Sequence, residues 1–399
     1  LALVFLSASG APGLCAVGSL AVSAAENRSG ATAAAACPFC ASINATFAEQ
    51  IAKHEITVVA KLVAVPPKTE DWETEFPKGK FEILQVIRGD DHVAPGMVFQ
   101  TQLVGTYPAG EKFLVMGVEP PQVFWSTPMQ VSERVIRYLT ESQKLPESGP
   151  DRLAFFQNYF EDEESVLAFD AYDEFAIADY DDLIAMKDRI KKDKLIAWIH
   201  DPEIRVDRRR LYFTMIGVCG KEKEIEMLEE LIKSDDAKKR AGLDALVAAY
   251  LTLTGEAGVP LIEDTFLRRP DAEDPDVNAV ISALRFHGTE VQHIPRARIA
   301  QAVRLALDHP KLADTVIPDL ARWEDWSVVD RMVDLFKNCD EDYQYVRVPV
   351  VAYLTACPKP EAKVYLKELE KIDPDAIRRA RFFMGDYGDF DEATDDDAT

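Results

Sequence analysis

Asp207-Arg-Arg-Arg-Leu-Tyr-Phe-Thr-Met-Ile-Gly217, Asp236-Ala-Lys-Lys-Arg-Ala-Gly-Leu-Asp-Ala-Leu246 and Asp342-Tyr-Gln-Tyr-Val-Arg-Val-Pro-Val-Val-Ala-Tyr-Leu354 share one plan. In each, a short polar turn leads into a helical stretch that is first basic and then apolar. Working outward, apolar residues recur at helical spacing at Leu153, Phe156 and Phe160, and again at Leu243, Leu246, Val247 and Tyr250. Charged turns interrupt them at Asp201-Pro-Glu203, Lys233-Ser-Asp-Asp236, Asp274-Pro-Asp276, Asp308-His-Pro310 and Asp373-Pro-Asp375. Leu228-Glu-Glu-Leu-Ile232 and Tyr365-Leu-Lys-Glu-Leu369 supply further helices between the basic ones. A helical pair of this kind cannot bury its apolar side alone, and stacking on the next pair does so. The expectation is a helical array over residues 151–385, entered through a Pro- and Gly-marked linker at 141–150 that contains Leu145-Pro-Glu-Ser-Gly-Pro150. The repeats are degenerate and unequal in length, so an irregular helical domain stands as the alternative.

The three basic-then-apolar stretches resemble the second helix of a HEAT repeat, with its Asp/Arg pair ahead of the apolar face. That resemblance implies an all-α solenoid with an extended binding surface.

Ahead of the helices, residues 37–140 read as a β-rich domain. Ile56-Thr-Val-Val-Ala-Lys-Leu-Val-Ala-Val65, Lys80-Phe-Glu-Ile-Leu-Gln-Val-Ile87, Met97-Val-Phe-Gln-Thr-Gln-Leu-Val104 and Lys112-Phe-Leu-Val-Met116 are candidate strands. Ser42 to Lys53 is a candidate short helix. Short strands separated by Gly/Pro turns suggest a small barrel or sandwich. The cysteine pair at 37 and 40, Ile56–Lys61, Phe81-Glu-Ile-Leu-Gln-Val-Ile-Arg-Gly89 and Gly110-Glu-Lys-Phe-Leu-Val-Met-Gly117 together resemble the netrin-like module. That OB-type barrel is shared by tissue inhibitors of metalloproteinases. The resemblance covers roughly residues 37–118, and the later cysteines of the family are missing. The expected fold class is therefore multidomain α+β, a small OB/netrin-like barrel followed by an all-α HEAT-like solenoid.

The first residues read as a secretory signal peptide over 1–25, with an apolar stretch from Leu1 and small residues at Ser23-Ala24-Ala25. A flexible leader over 26–36 and an acidic disordered tail over 386–399 complete the expected organisation. The chain is then exported: periplasmic, at the cell surface, or secreted. No later segment is expected to cross a bilayer. The chain as a whole also resembles exported bacterial proteins with a Cys-Pro-Phe-Cys start.

A net charge of −24 over 399 residues repels phosphate backbones and anionic lipid. It disfavours nucleic acid and suits a cationic protein partner or simple solubility.

Cys37-Pro-Phe-Cys40 is the sharpest local motif. A disulfide, a redox-active pair and a metal-binding pair all fit it, although two thiolates are too few to close a zinc site. The netrin-like resemblance adds the idea that Cys37, if freed as an N-terminus, would chelate the zinc of a partner protease. Asp170, Asp173 and Glu174 fall at i, i+3 and i+4 of one helix. Such carboxylates can do acid–base work or hold Ca²⁺, but the plainer expectation is a solvated acidic helix face. A buried Asp170 would cap the next helix or pair with Arg152 or one of Arg208–Arg210. The islands Arg208–Arg210 and Lys238–Arg240 are expected to pair with carboxylates of neighbouring repeats. His287 and His293 are a weak metal pair. No catalytic residue, metal site or cofactor is assigned. The expected function is that of a non-enzymatic binding or scaffold protein outside the cytoplasm. The alternatives are a thiol-disulfide oxidoreductase or thiol-linked assembly factor using Cys37 and Cys40, and, more weakly, a metalloprotease-inhibitor-like β module.

Overall fold

The computed structural model describes residues 37–40, 44–66, 77–291, 293–309 and 311–384, all within one compact unit. The expected signal peptide, leader and acidic tail lie outside the described residues.

Helix α1 (Phe47–Lys53) starts where Thr46 accepts from the Glu49 N–H while Glu49 reaches back to the Thr46 N–H, a capping box. It occupies the second half of the expected Ser42–Lys53 helix. Strands β1 (Ile56–Ala64), β2 (Lys78–Arg88), β3 (Val98–Gln102), β4 (Lys112–Val118), β5 (Phe124–Trp125) and β6 (Met129–Gln130) follow. All pairings are antiparallel. The order is β3-β2-β1-β4-β5, with β6 also on β4. The two outer strands meet through side chains. Thr101 Oγ1 lies 3.3 Å from the Trp125 carbonyl oxygen, and the Phe99 and Trp125 rings stack at 4.0 Å. The sheet is thereby curled into a nearly closed barrel. Ile56, Val58, Ala60, Leu62, Phe81, Ile83, Phe113 and Val115 fill its interior, the period-two faces of β1, β2 and β4.

Strand β4 is buried on both sides. Phe113 and Val115 point into the barrel, while Leu114 and Met116 join the core of the helical part. Helix α2 (Glu133–Ser142), N-capped by Ser132, places Val135, Tyr138 and Leu139 in that same helical core. So do Cys37, Phe47 and Ile51 from the start of the chain. The expected boundary at 141–150 does not coincide with the division between the two apolar cores. Residues expected in the β-rich domain, at both of its ends, pack with the helices instead.

The helices continue as α3 (Pro150–Phe156), α4 (Ser165–Ala176), α5 (Tyr180–Ala185), α6 (Lys192–His200), α7 (Val206–Cys219), α8 (Glu222–Ile232), α9 (Leu243–Thr254), α10 (Val259–Ile262) and α11 (Asp274–Thr289). Then come α12 (Arg296–Val303), α13 (Ala313–Arg322), α14 (Val329–Asn338), α15 (Arg347–Ala356), α16 (Pro360–Glu370) and α17 (Pro374–Phe383). Their packing alternates. Helix α7 lies on α9 and α9 on α11, while α13 lies on α15 and α15 on α17; α6, α8, α12, α14 and α16 flank this row. Arg285 of α11 grips Asp319 of α13 with three bonds of 2.7–3.0 Å and so joins the two halves.

The row helices are sandwiched, which explains why α7 is buried from Leu211 to Gly217 and α9 from Ala245 to Leu251. Closeness has a sequence cause. At Gly217 the two helices approach so tightly that an added Cβ would sit 3.0 Å from Ala249 Cα.

The run Leu243–Leu267 is long and apolar enough to cross a membrane by length and composition, with mean hydropathy 1.5. The sequence reading expected no later segment to cross a bilayer. Just over half of its most apolar window is buried inside the protein, and Gly255 at φ 60° interrupts its helix. A core helix fits both facts.

Candidate functional site

The start of the described chain crosses the helical row. A disulfide joins Cys37 and Cys40 across a tight turn closed by the Cys40 N–H on the Cys37 carbonyl at 3.0 Å. Cys37 has no exposed surface. Its Sγ lies 3.8 Å from Thr214 Oγ1 of α7, and Cys40 Sγ lies 4.0 Å from the Asp207 carbonyl oxygen. Between them, Phe39 meets Phe286 of α11 edge-on at 5.5 Å. Four residues thus bridge α7 and α11.

Ten residues on, the same segment is held by the acidic group of α4. Asp170, Asp173 and Glu174 are all buried, which overturns the expected solvated face. Asp170 Oδ1 accepts the Phe47 N–H at 2.6 Å and Oδ2 accepts the Tyr138 hydroxyl. It therefore caps α1, an earlier helix, rather than the next one. The Arg152 side chain, offered as a partner for Asp170, goes one turn further along α4. Its Nε and Nη2 donate to Glu174 at 2.8 and 2.7 Å. Burial is the largest influence on both acids. It raises Glu174 against the pull of Arg152, and pushes Asp170 up to about 7 against the pull of Tyr138 and Phe47.

An unfolded aspartate ionises near pH 4, so a proton held to about pH 7 in the fold makes the native protein lose stability as pH rises across that window. Asparagine has no such dependence and keeps an acceptor for the Phe47 N–H. Asp170→Asn is expected to gain on the parent by about 2–4 kcal/mol between about pH 4 and about pH 8. Urea unfolding of both chains at the two pH values checks this, and a difference independent of pH would refute it.

In the basic islands, Arg208, Arg210 and Arg240 pair with carboxylates distant in the chain. Arg208 donates to Glu161 at 2.5 Å, Arg210 to Asp244 at 2.9 Å and Arg240 to Asp276 at 2.7 Å. Arg209 instead donates to the Lys238 and Lys239 carbonyls. His287 and His293 do come together, ring centroids 5.0 Å apart. Each, however, places its Nε2 on a carbonyl oxygen of α9, of Ala248 and Leu251 respectively. Burial lowers His287 to about 4. Among the described residues, no group of three or more His, Cys, Asp or Glu converges as a metal site.

A concavity opens beside the disulfide. Pro38, Phe39 and Cys40 form one wall of a cleft of about 610 Å³, and Arg210, Asp244, Arg285, Phe286, Glu290 and Arg322 are among its other lining residues. No family model, curated protein or solved structure matches this chain.

Sequence reasoning missed this cleft. Its signal was present in the spacing: Arg210 and Asp244, and again Arg285 and Asp319, are both 34 residues apart. The reading of Cys37 as a protease-directed N-terminus meets an obstacle in the burial of that residue against α7.

Proposed function

We propose that the chain is a non-enzymatic, extracytoplasmic binding or scaffold protein, in which an OB-type barrel is joined to a HEAT-like stack of helical pairs. The observation that carries this reading is the recurring bridge between successive row helices, Arg210 to Asp244 and Arg285 to Asp319. A bridge repeated at one spacing is what stacked units produce, each contacting its neighbour in the same way. The strand order β3-β2-β1-β4-β5 around the six-stranded sheet, with β3 meeting β5, supports a partly open OB-type barrel. The Cys37–Cys40 disulfide supports an oxidising compartment. With Cys37 fully buried against the helices and Cys40 partly exposed, we read the disulfide as a staple on the helical row.

The test is position-specific photo-crosslinking in the exported fraction of the source cell. A photoreactive residue at Ser282, on the cleft side, is expected to give a discrete adduct. The same residue at exposed Glu226 on the flanking helix α8 is expected to give none. Absence of an adduct from Ser282, or equal adducts from both positions, would count against a dedicated binding face.

A further inference from the structure

We propose that the cleft beside the Cys37–Cys40 turn binds an acidic peptide segment carrying apolar side chains. This rests on the binding-protein reading and narrows it to one site and one ligand chemistry, opposite in sign to what the net charge of the chain suggests.

Three guanidiniums line the cleft, those of Arg210, Arg285 and Arg322, against two carboxylates, Asp244 and Glu290. Asp319, which holds both Arg285 and Arg322, is a third carboxylate, so in a chain with a net charge of −24 the cleft is locally balanced rather than acidic. Each guanidinium is anchored in part. Arg210 uses its Nε on Asp244, Arg285 its Nε and Nη2 on Asp319 with Nη2 also on the Thr315 carbonyl, and Arg322 its Nη1 on Asp319. Anchoring fixes the planes and leaves N–H donors for a second acceptor, the arrangement in which arginine recognises carboxylates. All three are partly exposed, Arg322 the most at 57% of its side chain.

The opposite wall is apolar, formed by Pro38, Phe39 and Phe286. A small dicarboxylate would leave that wall bare, whereas a peptide with alternating acidic and aromatic residues covers both. The volume of about 610 Å³ falls in the range of ligand-sized clefts. Repulsion from the distant acidic surface is screened within about 8 Å at physiological salt, while direct contacts in the cleft are screened less.

The test is fluorescence anisotropy on the full chain with two fluorescein-labelled hexapeptides, Glu-Phe-Glu-Glu-Phe-Glu and Lys-Phe-Lys-Lys-Phe-Lys. The acidic peptide is expected to bind. Arg322→Glu is expected to weaken it at least about tenfold, with circular dichroism showing the fold retained, since Asp319 keeps its bonds from Arg285. Ser282→Trp, which fills the cleft without altering a charge, is expected to abolish binding. Free glutarate at the same concentration is expected not to compete. If the lysine peptide binds and the acidic one does not, the acidic-ligand inference falls while the scaffold reading stands. If neither binds, or if Arg322→Glu and Ser282→Trp leave acidic binding intact, the cleft is not the site; the crosslinks from Ser282 and Glu226 then judge the scaffold reading separately.

Discussion

Arg152→Ala is expected to destabilise the protein by about 3–5 kcal/mol near pH 8, the range seen when one partner of a buried ion pair is removed. The Glu174 side chain is only 2% exposed, and Arg152 is its bidentate partner. The same guanidinium lies over the Phe156 ring at 5.0 Å, so packing is lost with the charge. Without Arg152, the buried carboxylate must take up a proton to escape its desolvation cost. Taking up that proton costs less as pH falls toward the carboxylate range, because an unfolded glutamate ionises near pH 4.3. The deficit should therefore shrink by a few kcal/mol, about 2–4, between about pH 8 and about pH 5. Denaturant unfolding of the parent, Arg152→Ala and Glu174→Gln at both pH values measures it. A deficit under about 1 kcal/mol, or one that grows on acidification, would show that the pair is not buried in solution.

Gly217→Leu is expected to be as damaging, by about 3 kcal/mol, through a different cause. A leucine side chain there has to enter the space held by the backbone of Ala249, since even its Cβ would sit 3.0 Å from the Ala249 Cα. A main-chain atom cannot turn aside as a side-chain tip can, so helices α7 and α9 must part. Alanine at the same place is expected to be close to neutral, because the helix-propensity gain of about 1 kcal/mol offsets the tight contact. A graded series of Ala, Val and Leu, read by thermal and urea unfolding, tests the steric account. An equal loss for all three substitutions would contradict it.

What the sequence made legible follows from how local each signal is. Strands β1, β2 and β4 were readable because β-branched and aromatic residues fill their inward faces over seven or more residues. Strands β5 and β6 are two residues each, too short to carry a period. Helix α2 was assigned to the β-rich side because the Pro/Gly signal at 145–150 is louder than the Ser132 cap that starts it. The helical row was legible as basic-then-apolar stretches, since each is continuous in the chain.

The acidic group of α4 was misjudged for the opposite reason. Apolar Phe169, Ala171 and Phe175 hint that Asp170 is buried, but nothing near it in the chain names its partners. The partners of Asp170 and Glu174 are Phe47, Tyr138 and Arg152, which come from three other elements. Arg152 was foreseen as a partner but matched to the wrong carboxylate, four residues away and hence one turn of helix. The cleft escaped notice because its guanidiniums sit on three helices, and only the recurrence of one Arg-to-Asp interval links them.

The staple at the front of the chain also governs the order of assembly. The Phe47 amide bonds a residue 123 positions later, and Cys37 touches one 177 positions later. A ribosome therefore delivers this segment long before the surfaces that receive it, and closing so long a loop is slow relative to forming neighbouring helices. Until α11 exists, Phe39 lacks the Phe286 ring it meets, and Phe47 waits for Tyr138 and Asp170. Seating that segment ties early-made residues to ones made much later, so mutations at its receiving pocket will first show themselves as poor yield.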